Sequence, residues 1–349
     1  MLRRRLTALL ALAVALGTAA TTAPARAVPA GLVPAQAAPA GVAPAQAVPA
    51  HGQDPRLRTR TVRYGPYTIP ASDPNAPGGH HGGTGNTLKL GVEAPCGHCY
   101  IKGIKPDLVY PDGSNANVDT GPMLHHFVMY NQFRRDPVCG TDPTNPSFWL
   151  GERFAASGNE RTFIDAPSGY GYYNAPLHRW NLIAELMTHA HEEQEVYIEV
   201  EYTYLPAHQA ERAGWEKVRP VWLSVAGCAT LDEVPVPSGR SATSWEWDVD
   251  VPGTVVGMGG HLHNGGVSLV AEKTGTGETL CDSVARYGET PEYVNLHGGK
   301  ELSSMGRCID PEGVGTVGKG DTVRLTAHYD TRQPIADAMG IMVTYIAGA

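Results

Sequence analysis

No stretch of this chain keeps one periodicity for long. Short apolar runs are broken throughout by Gly, Pro, Asn and Asp, and the 349 residues include 41 glycines and 28 prolines. Glycine interrupts regular structure through its backbone freedom, and proline through its fixed φ and missing donor. A scaffold of long helices is therefore excluded. The runs themselves alternate: in VYIEVEYTYLP, Val196, Ile198, Val200 and Tyr202 share one face of a strand. VRLTAHYD and IMVTYIA read as further strands, and VSLVAEKTGTGETL as two strands around a turn. Helical period is confined to QAERAGWEKV, which is short. Many short strands with frequent turn signals predict an all-β protein of antiparallel sandwiches.

The first residues carry a different message. Arg3, Arg4 and Arg5 precede the apolar stretch LTALLALAVALGTAA, and Ala25-Arg26-Ala27 offers a cleavage site. Residues 1–27 thus read as a signal peptide and predict a secreted, extracellular protein. No later stretch is apolar for long enough to span a membrane as a helix. Residues 28–60 are rich in Pro and Ala and begin as a degenerate repeat, which predicts a disordered linker, either a tether or an inert spacer. The remaining length suits two tandem jelly-roll-like sandwiches, 61–217 and 218–349, with the boundary near 212–222.

Six cysteines in an exported chain read as disulfides. Locality favours Cys96–Cys99, Cys139–Cys228 and Cys281–Cys308, although sequence alone does not choose among pairings. The Cys96-Gly97-His98-Cys99 segment copies a dithiol redox motif, but Gly103 and Pro106 follow with no helical period. A structural disulfide is the better reading. The net charge of −8, with no basic block after residue 27, argues against nucleic acid and against an anionic membrane as partners. A monomer is expected.

Four short pieces hold the chemistry: His125-His126 in MLHHFVMY, His189 in ELMTHAH, His261-Leu262-His263 in GGHLHNGG, and Met339 in DAMGIMVTY. Imidazole with thioether suits copper better than magnesium or calcium. His261 and His263, two apart in a strand, point to one face and can chelate one ion. His125 and His126 are adjacent, so they share a metal only at a strand end or a bulge. His191 competes with His189, and Met342 with Met339. Each piece taken alone also has a bland reading as hydrogen-bonded or core side chains.

In this order, HH, then L-x-x-H, then H-x-H, then a late Met, the pieces resemble the copper type II ascorbate-dependent monooxygenases that hydroxylate peptidylglycine and dopamine. The C-terminal half is similar to the stress-up-regulated nodulin-like proteins through GHLHNGGVSLV, ETLCDSVARYGE, Cys308-Ile309-Asp310-Pro311 and AMGIMVTYI. This likeness extends over roughly residues 85–349. The first resemblance implies two copper ions. One would be held by His125, His126 and His189, the other by His261, His263 and Met339 at the catalytic site, on domains that face each other across a cleft. Leu186-Met187-Thr188-His189 matches the L-x-x-H element, which favours His189 over His191. It also implies O₂ activation with ascorbate as reductant, acting on a small molecule or peptide. Three departures matter. Gly259, Ile341 and Val343 stand where that family clamps a peptide carboxylate with Arg, Asn and Tyr.

The expected function is therefore a copper-dependent oxidoreductase on an unidentified substrate. A copper storage or delivery protein, or a cell-wall sandwich module, is the alternative; His80-His81 is the one hint of an extra histidine-rich tract. SGNERTFIDAPSGYGYY reads as a turn-rich loop, either lining a substrate cleft or stabilised by a buried Glu160–Arg161 pair. Trp245 and Trp247 read as packing residues of a strand, and His328 as a satisfied strand histidine.

Overall fold

The computed structural model describes residues 54–73 and 82–349. The signal peptide expected at 1–27, the linker up to residue 53 and His80-His81 lie outside the described residues. In chain order the strands are β1 (Arg58–Ile69), β2 (Gly82–Gly83), β3 (Thr87–Val92), β4 (Cys99–Val109), β5 (Pro122–Asn131), β6 (Glu152–Gly158) and β7 (Ile164–Asp165). Next come β8 (Tyr170–Asn174), β9 (Trp180–Thr188), β10 (Gln194–Pro206), β11 (Glu216–Ser224), β12 (Glu233–Val236), β13 (Gly239–Asp248) and β14 (Gly253–Leu262). The last are β15 (Gly266–Lys273), β16 (Glu278–Tyr287), β17 (Leu302–Met305), β18 (Arg307–Ile309), β19 (Gly315–Val317), β20 (Thr322–Thr331) and β21 (Ile335–Ala347). Two short helices, α1 (Ser147–Leu150) and α2 (Ala207–Arg212), complete the set with one 3-10 turn. The protein is an all-β sandwich fold. Part of the expected linker is strand, because β1 starts at Arg58.

Three sheets build two cores. A central sheet runs β1-β10-β4-β8-β11-β21-β14-β18, with β7, β12 and β19 on its margins. A flanking sheet, β2-β9-β5-β6 with β3, covers one face, and a distal sheet, β13-β20-β15-β16-β17, covers the other. Strand alternation assigns side chains to the two cores. Along β21, Met339, Ile341, Val343 and Tyr345 enter the core under the flanking sheet, while Ala338, Met342 and Ile346 enter the distal one. Val196, Ile198, Val200 and Tyr202 on β10 are fully buried in the first core. Trp247 packs into the second.

The boundary expected between residues 217 and 218 falls inside β11. That strand pairs parallel to β8 on one side and antiparallel to β21 on the other. The two cores are thus joined by a shared sheet and not by a linker, and the described residues form one compact unit. All three disulfides favoured by locality are formed. Cys139–Cys228 ties the loop after β5 to the turn after β11. No thioredoxin-like helix follows Cys99, which opens β4.

A buried ion pair reinforces the same seam. The Arg153 guanidinium on β6 donates to Asp136 at 2.9 and 3.2 Å and lies 4.8 Å over the Trp222 ring of β11. Asp136 also accepts the Cys139 N–H at 2.8 Å, next to the disulfide. Burial pushes the Asp136 pKa up, but the Arg153 charge and these hydrogen bonds outweigh it and hold the carboxyl below its usual 3.8. A depressed carboxylate stabilises the fold above its unfolded pKa, and this contribution vanishes as pH falls through the native value. Asp136→Asn is therefore expected to cost about 3 kcal/mol at neutral pH. In pH-dependent thermal unfolding, the gap from wild type should close below pH 3.8.

Candidate metal centre

The adjacent pair His125-His126 reaches one site because β5 is bulged there. Its register on β9 jumps from Leu124–Leu186 to His126–Glu185, so His125 is the extra residue. A bulge re-aims a side chain that a regular strand would send to the opposite face. His126 is buried, His125 half-buried, and their ring centres stand 5.1 Å apart.

His261 and His263 come from the end of β14. His261 pairs with Ile341 of β21, so it lies on the face that packs toward the flanking sheet. The chain then turns back sharply: Gly265 has φ of +91°, and a Cβ there would meet Thr331 at 2.7 Å. The His263 N–H donates to the Tyr329 hydroxyl at 3.0 Å, and that hydroxyl donates to the Met339 carbonyl. Where β14 of the central sheet meets β5 of the flanking sheet, the rings converge. The ligating atoms of His125, His126 and His263 all lie within 4.8 Å of one another. The His125 and His263 ring centres are 4.5 Å apart, and His261 stands 5.4 Å from His263.

Hydrogen bonds determine the tautomers. His261 Nδ1 donates to the Glu160 carboxylate at 3.1 and 3.2 Å. His126 Nε2 donates to Asn86 Oδ1 at 3.0 Å, and the His263 ring donates to the Asp337 carbonyl. The Glu185 carboxylate lies 3.6 Å from His125 Nδ1 and 3.7 Å from His126 Nε2. Each of the four rings keeps one buried nitrogen with no hydrogen-bond partner among the described residues: Nδ1 of His125 and His126, Nε2 of His261 and His263. Burial, and after it the neighbouring imidazoles, holds the pKa of His126 and His263 well below 6.5. Neutral rings with free lone pairs are what a metal needs from histidine.

This grouping differs from the expected two trios. His263 stands with His125 and His126 because the shared sheet brings the end of β14 against the bulge of β5. His189, just after β9, instead faces the Glu301 carboxylate, with Nε2 at 3.6 Å from Oε1, and its ring lies 6.0 Å from His297. Burial works against the Glu301 carboxylate, yet hydrogen bonds from His189, Asn264 and Asn295 keep its pKa below 4.5. His191 is exposed and turned to the Ser72 hydroxyl at 3.1 Å. Met339 is a core residue on the same face as His261, whereas Met342 faces the distal core. Leu262 pairs with Gly340, which places Met339 one step on, alongside His263. Met339 lines a chamber of about 180 Å³ with His126 and His261.

A cleft of about 1080 Å³ opens over the cluster and is walled by His125, His261, His263 and Glu160. His189, His297 and Glu301 line the same cleft. Glu160 does not pair with Arg161. Arg161 has φ of +45°, uncommon for a residue with a side chain, and its guanidinium is held by Asp107, Asn115 and the Ala116 carbonyl. Glu160 lies in the loop that the sequence offered as a cleft lining, whereas Glu185, His297 and Glu301 escaped the sequence reading, since none sits at ligand spacing from a histidine motif.

The fold and site define an all-β protein with a buried polyhistidine centre at the seam of two sheets. Comparison with known proteins narrows this. Residues 223–349 match the family Stress up-regulated Nod 19. The chain is 28% identical over 306 residues to the "Probable copper-dependent oxygenase M1" of Phoma sp., covering 83% of this chain and 72% of that protein. It is 27% identical over 257 residues to the "Probable copper-dependent oxygenase clz3" of Cochliobolus lunatus, covering 69% and 77% respectively.

Gly158, which ends β6, is what lets His261 approach. A Cβ there would lie 2.4 Å from His261 Cε1, 2.8 Å from the Glu160 carboxylate and 2.8 Å from the His125 carbonyl. Gly158→Ala is expected to displace the His261 ring and cost about 1–3 kcal/mol through overpacking. Shifted His261 side-chain NMR resonances with a lowered Tm would check it; unchanged resonances would refute it.

Proposed function

We propose that this chain is a secreted, copper-dependent oxidoreductase acting with O₂ and an ascorbate-type reductant on a small substrate. The carrying observation is the set of four buried imidazole nitrogens, one per ring, without a hydrogen-bond partner among the described residues; on His126, His261 and His263 the opposite nitrogen carries the proton. An unpaired buried nitrogen is costly, and four together suit a transition-metal ion. The donor set fits copper: His125, His126 and His263 would hold the ion, with His261 beside them and the Met339 thioether on the same face. Copper there would supply one-electron chemistry toward O₂. The names of the two relatives support copper over zinc.

The other residues have defined duties. Glu160 holds His261 in the Nδ1–H tautomer and so aims Nε2 inward, as carboxylates commonly orient metal-ligating histidines. Asn86 and the Asp337 carbonyl do the same for His126 and His263. The cleft gives solvent-side access for reductant, and the chamber beside Met339 borders the opposite flank. The disulfides Cys139–Cys228, Cys281–Cys308 and Cys96–Cys99 are compatible with an oxidising, extracellular setting. Among the described residues no helix is long and apolar enough to cross a membrane.

Copper carriage without turnover is the second reading, and it is favoured by Gly259, Ile341 and Val343 at the positions of a peptide clamp. Copper titration separates the alternatives. One tightly held ion per chain is expected at the cluster, lost on His125→Ala or His263→Ala. Glu160→Ala should weaken affinity about 10- to 100-fold. His189→Ala should leave that ion in place; two ions, one lost with His189, would restore the two-trio arrangement. Copper that is not retained, or is retained after both cluster substitutions, would overturn the proposal. Ascorbate-driven O₂ consumption then distinguishes enzyme from carrier.

A further inference from the structure

His261 borders three spaces: the open cleft, the chamber that holds Met339, and a narrow slot. The slot runs along β14. Gly257 and Gly259 precede His261 on the same strand face, and their partners on β21, Tyr345 and Val343, form the adjoining wall. Phe163 closes it from above. Neither glycine has a positive φ, and a Cβ on Gly259 would come no closer than 4.0 Å to Thr162. The backbone there does not demand glycine. What the two glycines do is leave the slot open up to His261.

One cation stands at its rim. Arg307 pairs with Gly259 across β14 and β18, so its side chain belongs to the slot face. Its Nη1 donates to the Phe163 carbonyl at 2.7 Å and its guanidinium lies 5.7 Å from the Phe163 ring centre. It forms no ion pair with a carboxylate among the described residues. Asp165, also at the slot, is neutralised by Lys102. The slot therefore offers an apolar wall, an exposed guanidinium with free donors, and an imidazole at the inner end. Its cavity volume is about 30 Å³, room for roughly two or three water-sized groups, which admits a methylene chain and not a ring. From Gly259 to His261 is two strand steps, ~7 Å, a distance that a short alkyl chain spans.

We propose that this slot is a binding subsite for a slim aliphatic carboxylate, with the carboxylate on Arg307 and the hydrocarbon over Gly259 toward His261. Its meaning as the substrate subsite rests on the oxidoreductase reading; its existence does not. A planar guanidinium takes a carboxylate through two parallel hydrogen bonds, whereas an alcohol of equal length gains only the apolar contact.

Calorimetric titration of the full-length protein, with and without copper, tests this using hexanoate, hexanol and phenylacetate. Hexanoate should bind saturably, about ten- to a hundredfold tighter than hexanol, and phenylacetate should be excluded. Arg307→Met should erase the preference over hexanol, Arg307→Lys should keep part of it, and Gly259→Val should abolish binding of both. Copper content should be unchanged in all three variants, with Tm confirming that each folds. Absent hexanoate binding, or binding that survives both Arg307→Met and Gly259→Val, overturns the subsite. If copper is not retained while hexanoate binding still depends on these residues, the subsite stands and only its link to oxidation falls.

Discussion

The packing of the flanking sheet across the central sheet is the contact on which everything else depends. It buries the apolar face of β5 and β9 against β21 and β14, and in doing so brings the bulge at His125 over the end of β14. Neither sheet alone assembles the centre: β5 supplies two imidazoles, and the end of β14 with the residue after it supplies two more. The Arg153–Asp136 pair stacked on Trp222 and the Cys139–Cys228 disulfide both act at this seam. Side chains on different sheets stay in register only while that layer spacing is kept, so the site inherits its geometry from the core.

Burial then sets the chemistry. Burial, and after it the neighbouring imidazoles, disfavours protonation of His126 and His263, and the hydrogen bonds to Glu160, Asn86 and the Asp337 carbonyl use one nitrogen on three of the rings. What is left is a convergent set of buried imidazole nitrogens without a hydrogen-bond partner among the described residues. The same electrostatics work in reverse at Glu301, where His189 and two asparagine amides keep a buried carboxylate ionised on the far part of the cleft. One cleft thus holds an imidazole centre and a separately stabilised carboxylate.

Access differs on each side of His261. The broad cleft carries His189, His297, Glu160 and Glu301 on its walls, the chamber beside Met339 is lined by both apolar and charged side chains, and the slot is apolar with a cation at its rim. Absent side chains at Gly257 and Gly259 create the slot, while an absent side chain at Gly158 lets His261 seat against Glu160. Glycine serves different ends here: at Gly265 a positive φ turns the chain, and at Gly158 and Gly259 only the missing Cβ matters.

Much of the architecture was legible in the residues themselves. Period-two alternation in β10 and β20 marked strands because each has one buried face, the apolar run of β21 marked a strand buried on both, and the punctuating glycines and prolines ruled out a helical scaffold. Local spacing also anticipated the three disulfides, and chemical type picked out His125, His126, His261, His263 and Met339. Grouping was a different matter. Which histidines share a centre depends on how two sheets cross, and that is set by packing between residues more than a hundred positions apart. The partner of Glu160 and the role of Arg307 were equally invisible, since a loop carboxylate and a strand arginine acquire a role only from what faces them. Side-chain chemistry and strand periodicity are properties of the chain, whereas the convergence of β5 on β14, and the protonation that burial there imposes, exist only once the sheets have packed.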